Sequence, residues 1–163
     1  MSFIGPESDP PVLVRSADAE VIGRAPARVQ LLADSSATGG ALSTQLVTLT
    51  DGANGASPHH HQKSTELFYV LDGVAEFLAG EEVVTAGKGD LVVVPPRMAH
   101  AFAAAPGSDA DLLIVITPGT DRFEYFRQLQ RIALGELSRE SLLEVQERYD
   151  NHFLASEVWD KRR

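Results

Sequence analysis

Three of the five histidines in this 163-residue chain fall where they could share a metal ion with a glutamate. His59 and His61 lie in the run PHHHQKSTELFYVLDG. On an extended segment, side chains two apart face the same side, so His59 and His61 point together and His60 points away. Glu66 opens the next apolar stretch, after a loop long enough to return it beside the histidines. His100 closes a second segment, GDLVVVPPRMAH. It would arrive from a neighbouring wall if the strands curl into a barrel. Neutral imidazoles suit iron, copper, nickel and zinc, while a carboxylate suits harder ions such as manganese and offsets part of the charge. The set implies one divalent metal ion of unspecified identity. It leaves coordination positions for substrate, water or dioxygen. Consecutive histidines also occur in exposed loops with weak metal affinity. Convergence with Glu66 and His100 on a β pattern favours a built site.

Short strands must position these residues. Arg28–Ala33 and Leu42–Thr50 read as a hairpin with a long loop, DSSATGG. Then follow Glu66–Leu71, Val74–Leu78, Glu82–Ala86, Leu91–Val94, His100–Ala104 and Leu112–Ile116. Turn residues close each stretch: Asp72-Gly73, Gly80, Gly87 to Gly89, Pro95-Pro96, Pro106-Gly107 and Pro118-Gly119. Regular short strands predict an all-β sandwich or barrel, and closure hides their edges. Residues 1–26 read as an N-terminal arm, with an apolar run at Pro11–Val14 and the possibility of brief edge-strand pairing. Residues 27–118 read as the barrel, and 119–163 as a helical extension. Asp121 and Glu124 form a capping-box pattern, and Gly135 ends the helix they would open. Ser138 would cap a second helix with Leu142, Val145 and Tyr149 on one face. These two helices would cover the barrel or build a dimer contact.

The two segments resemble the two motifs of the cupin superfamily. His59, His61, Glu66 and Gly73 fit the first; Gly89, Pro95 and His100 fit the second. The resemblance spans about residues 40–118. It implies a cupin jelly-roll β-barrel, followed here by two C-terminal α-helices. It also implies the same metal ligands: His59, His61, Glu66 and His100. Small cupins with this ligand set resemble quercetinase-like dioxygenases. Three positions depart from the pattern. Ala53 stands where the first motif has a preceding glycine, Arg97 replaces a glycine, and Ala104 replaces an asparagine.

Strand alternation suggests the lining of a pocket. Glu66 inward places Phe68 and Val70 inward, and His100 inward places Phe102 inward, with Phe77 as a further candidate. These residues would line an aromatic, apolar cavity or simply form core. Arg97 would either anchor an anionic substrate group bidentately or sit exposed in its turn. His152 lies off both motifs, in a tail that is structural or folds over the mouth.

The chain has no cysteine, which excludes disulfides, thiolate metal sites and a thiol nucleophile. A net charge of −9 argues against nucleic acid as a partner. There is no signal-peptide pattern and no apolar stretch of membrane-spanning length, so a cytoplasmic protein without membrane contact is expected. No phosphate loop or nucleophile elbow competes with the metal site. The expected function is a metal-dependent oxygenase acting on a small aromatic or apolar substrate, with Glu66 doubling as general base. The alternatives are a non-redox metal enzyme (a polyketide cyclase or isomerase) and a non-catalytic binding cupin. A homodimer is expected.

Overall fold

Alternating apolar residues make the strands, and their inward halves make the core. The computed structural model describes residues 10–163. Its strands are β1 (Val21–Arg24), β2 (Ala27–Ala33), β3 (Ser43–Leu49), β4 (His59–His60) and β5 (Thr65–Ala79). They continue with β6 (Glu82–Gly87), β7 (Leu91–Val94), β8 (His100–Ala104), β9 (Ala110–Thr117) and β10 (His152–Phe153). All pairings between these strands are antiparallel. The order is β1-β2-β3-β9-β5-β8-β4-β10, with β6 and β7 also on β5. The result is a curled antiparallel sheet, a half-barrel wrapped around a core.

β5 is the spine of this sheet. Sequence reading splits it into two strands at Asp72-Gly73, but the structure runs fifteen residues without a break. Its first half pairs with β7 and β9, and its second half with β6 and β8. Between Val70 and Asp72 the register with β9 shifts. Such an irregularity bends a strand without ending it, so the expected turn is a corner. Gly73 has φ +75°, and a Cβ there would run into the Asp109 carbonyl.

Inward residues of β3, β5, β8 and β9 meet in one cluster that includes Val47, Leu49, Phe68, Val70, Phe77, Phe102, Leu112 and Ile114. Burying side chains of this size contributes about 1.5–3 kcal/mol each. The strand alternation of β3 also carries two polar side chains inward, Ser43 and Gln45.

The C-terminal third covers the sheet. It contains α1 (Phe123–Ala133), a 3-10 turn (Arg139–Val145) leading into α2 (Gln146–Tyr149), and α3 (Glu157–Arg162). Sequence reading expects two helices; α3 is additional, and the second is largely 3-10. Tyr125, Phe126, Leu142 and Tyr149 pack with Ile22 and Leu31 of the first hairpin. Trp159 of α3 packs against Leu78, Ala101 and Ala103, which lets every residue of β8 be buried. The sheet begins at Val21, inside the stretch read as an arm, whereas Val12, Leu13 and Val14 are exposed and outside any strand. Residues 1–9 of that arm lie outside the described residues. Among the described residues, no helix is long and apolar enough to cross a membrane.

The capping box is not formed. Asp121 accepts from the Ser36 backbone N–H instead, at 2.8 Å. The start of α1 is held from another element: the Asp34 carboxylate accepts from the N–H groups of Arg122 (2.6 Å) and Phe123 (3.2 Å). Ser138 likewise makes no side-chain cap.

Candidate metal centre and adjoining cavity

β4, β5 and β8 deliver the chemistry. His59 on β4 pairs in register with His100 on β8, and Glu66 lies near the start of β5. His61 follows β4 directly. The four side chains form a buried cluster whose ligand atoms all lie within 4.8 Å of one another. Their convergence point is Glu66 Oε2. His100 Nε2 lies 2.6 Å from it, His61 Nε2 2.9 Å and His59 Nε2 3.9 Å. The Phe68 ring packs below His100 and against Phe77 and Phe102.

The other ring nitrogens decide the tautomer. His59 Nδ1 meets the Ser57 carbonyl at 2.8 Å, His61 Nδ1 the Asp150 carbonyl at 2.6 Å, and His100 Nδ1 the Met98 carbonyl at 2.9 Å. A carbonyl only accepts, so each Nδ1 carries the proton and each Nε2 offers its lone pair inward. Such outer contacts fix ligand orientation in metal sites. Lone pairs and a carboxylate aimed at one another need a cation or a proton between them. The donor set therefore fits a divalent ion.

Electrostatics agree. Burial, reinforced by His100 and His61, holds His59 well below its ordinary pKa, so it is neutral. Burial alone would raise Glu66, but its contacts with His61 and His100 hold it well below the usual carboxylate range. Burial opposes protonation of His100, yet its contact with Glu66 outweighs this and raises it. Glu66 is thus held as a carboxylate where the three Nε2 atoms converge, as a cation ligand must be.

His60 turns the other way. Its ring stacks on His152, with centroids 5.1 Å apart and an interplanar angle of 18°. His152 sits on β10, which pairs with β4 through His152–His60 and Phe153–His59. The tail thus folds onto the ligand strand. Asp150 ties it down further: its carboxylate accepts from the N–H groups of Gln62 (2.8 Å) and Lys63 (2.9 Å).

A cavity of about 370 Å³ opens beside the cluster. His59 and Glu66 reach it, as does Phe102. Phe68, Val70 and Phe77 are fully buried core side chains outside its lining. Arg97 is also outside it: the residue is exposed, at φ +69°, and its backbone N–H donates to the His61 carbonyl at 2.7 Å. Its service to the site is to hold the ligand loop through the main chain. The reason is geometric, because a left-handed residue in the turn after Pro95-Pro96 throws its side chain to solvent.

Sequence reasoning missed the polar residues on the far side of the cavity: Gln45, Arg122, Tyr125 and Asn151. All four are buried. Burial pushes the Tyr125 phenol up, so it stays protonated. None belongs to a motif. The available signals were slight: an inward polar position on a β strand, and an arginine where the strand pattern gives way to a helix.

Residues 45–116 match the family model of the cupin domain. Similar solved structures bear out the fold. Streptomyces Pac13, a nucleoside dehydratase, is 16% identical, with a TM-score of 0.56 over 70% of this chain and 87% of its own. KdgF from Halomonas sp. is 20% identical, with a TM-score of 0.59 over 69% and 97%. The polyketide cyclase RemF from Streptomyces resistomycificus is 18% identical, with a TM-score of 0.54 over 66% and 79%. No match was found among curated proteins.

Proposed function

We propose that this protein is a metal-dependent enzyme that converts one small, largely apolar molecule, with oxygenation of an aromatic substrate as the first reading. One observation carries this. The buried ligand cluster opens onto a cavity through His59 and Glu66, and that cavity is of a size used for small-molecule sites. A divalent ion held by His59, His61, Glu66 and His100 would supply a Lewis acid and, with iron, manganese, nickel or copper, a redox-active centre.

The chain's own residues do the rest. Val47, Leu49, Ile114 and Phe102 give apolar walls that hold a ring and exclude water. Glu66 faces the cavity, where its carboxylate can accept a proton from bound substrate. The tail residues Asn151 and Phe153 complete the lining.

A second reading is non-redox proton transfer or cyclisation. It is favoured by Tyr125, a protonated phenol on the same cavity as the Glu66 carboxylate, which makes an acid–base pair. RemF and Pac13 share the fold and catalyse reactions of other classes, which is consistent with this reading.

The deciding experiment is oxygen uptake by iron-, manganese-, nickel- and copper-loaded protein over flavonols and catechols, repeated anaerobically. Dioxygen-dependent turnover supports the first reading, and turnover without dioxygen supports the second. Glu66→Gln separates both from passive binding: turnover lost with metal retained marks an enzyme. No turnover with any metal sinks the oxygenase reading.

A further inference from the structure

Among the described residues, Arg122 is a buried cation with no carboxylate paired to its guanidinium, and it faces the cavity that Glu66 faces. It is only 5% exposed. Its guanidinium lies over the Tyr125 ring, 5.0 Å from the centroid, and 5.8 Å from that of Phe126. Among the described residues, its one side-chain hydrogen bond is from Nη2 to Asn151 Oδ1, at 3.3 Å. Nε and Nη1 are buried with no partner, and so is Asn151 Nδ2. The Arg122 contact fixes the Asn151 amide, because the oxygen must face the guanidinium and the NH2 must face elsewhere.

The unsatisfied groups are therefore all donors. A buried arginine with open N–H groups is costly unless a ligand completes it. A hydroxyl or an amide would bring donors of its own. A carboxylate is acceptor-only, planar and matched to a guanidinium fork. Charge points the same way. Glu66 is the one carboxylate residue among the cavity's described lining, and it belongs to the metal cluster. Arg139 adds a second, exposed cation to that lining. A chain of net charge −9 has thus kept this cavity free of other acids.

We infer that Arg122, with Asn151, forms an anion subsite that binds a carboxylate on the substrate and aims its apolar body at the metal cluster. This deepens, and rests on, the reading of the cavity as the site of a small-molecule enzyme. The substrate class becomes an aromatic or otherwise apolar carboxylic acid. Arg122 sets specificity; it does not handle the reacting atoms.

The test is calorimetric binding of 2-naphthoate and its neutral isostere 2-naphthamide, with protein as purified and after zinc loading. The expected result is naphthoate binding at least about tenfold tighter than naphthamide, as hydrogen bonds to charged groups imply. Arg122→Gln should abolish the preference by bringing naphthoate binding down to the level of naphthamide, and Arg122→Lys should restore part of it. Asn151→Asp places a carboxylate against the guanidinium from within. It should weaken naphthoate roughly tenfold or more and so cancel its preference over naphthamide. This variant satisfies the arginine, so it guards against Arg122→Gln failing to fold. The inference is overturned if wild type binds neither compound, if it binds both equally, or if the preference survives Arg122→Gln. That last result would mean that the metal holds the carboxylate. Metal content of the same samples separates the two ideas. A protein that takes up no zinc sinks the metal-enzyme reading, and a zinc-loaded protein without carboxylate preference sinks the subsite alone.

Discussion

Adjacent histidines in this chain differ in which way they face, and only two of the three join the candidate ligand cluster. His59 and His61 face Glu66, whereas His60 stacks on His152 outside the cluster. His61→Ala should therefore abolish stoichiometric metal uptake, while His60→Ala should keep it, as read by elemental analysis after dialysis. Equal loss in both would show that the run HHH acts as a loose loop. Asp150 is the less obvious residue. It takes φ +48°, its carbonyl orients His61, and its carboxylate holds the N–H groups of Gln62 and Lys63. Asp150→Gly keeps the left-handed backbone but removes the carboxylate. It should weaken metal binding by about 10- to 100-fold, the usual scale for losing an outer-shell contact. Asp150→Ala should cost roughly a further 1–2 kcal/mol of stability, because alanine resists positive φ. Competition with a chromogenic chelator and urea unfolding measure the two effects. Unchanged metal affinity in the glycine variant would end the argument for Asp150.

At the scale of elements, the sequence spoke clearly where a partner was local and poorly where it was distant. The ligand segments, their turns and the inward side of each strand could be read from alternation and glycine placement. The continuity of β5 could not, because Asp72-Gly73 has hairpin composition and only its partners β9 and β6 show that it bends through a corner. The start of α1 failed for the same reason. Asp121 and Glu124 have the right spacing for a box, but Asp121 is taken by Ser36 and the N–H groups of Arg122 and Phe123 by Asp34, some ninety residues away. Arg122 and Asn151 were invisible as site residues because the fold alone brings them to the cavity. Asp34 can be tested directly. Asp34→Ala should destabilise by about 1 kcal/mol, the usual cost of losing a helix cap. A pH series adds a sign. Burial raises the Asp34 pKa above its ordinary 3.8, against the lowering effect of its two backbone hydrogen bonds. A carboxyl with a raised folded-state pKa contributes most below 3.8, and that contribution shrinks as pH rises through the folded value. Relative to Asp34→Asn, wild-type stability should fall with rising pH across that window and be flat above it. Chemical denaturation at several pH values checks this, and a rise would refute it.

For the whole molecule, the metal cluster is where the sheet and its C-terminal cover meet. The ligands come from β4, the loop after it, β5 and β8, and the main chain at Asp150 holds His61 in place. β10 then pairs with β4, and the tail continues to α3, where Arg162 and Arg163 both reach the buried Glu76 on β5. A cation bound at the cluster therefore stabilises contacts between parts of the chain nearly a hundred residues apart. Linkage gives the size: about 2.7 kcal/mol when free metal is a hundred times its Kd. For a chain of this length that is a rise in Tm of ~5–10 °C. Stripping the protein with a chelator should lower Tm by this amount, and zinc or manganese should restore it in proportion to occupancy. The loss should also be local. Hydrogen exchange should quicken at residues 59–66, 98–102 and 150–154, where ligands and tail interlock, and stay slow in β2 and β3, which pair with each other and with no ligand-bearing strand. Uniform quickening would mean that the metal acts on global stability alone. No change in Tm or exchange after verified metal removal would mean that the cluster folds equally well without the ion, and that the cover is fastened independently of it.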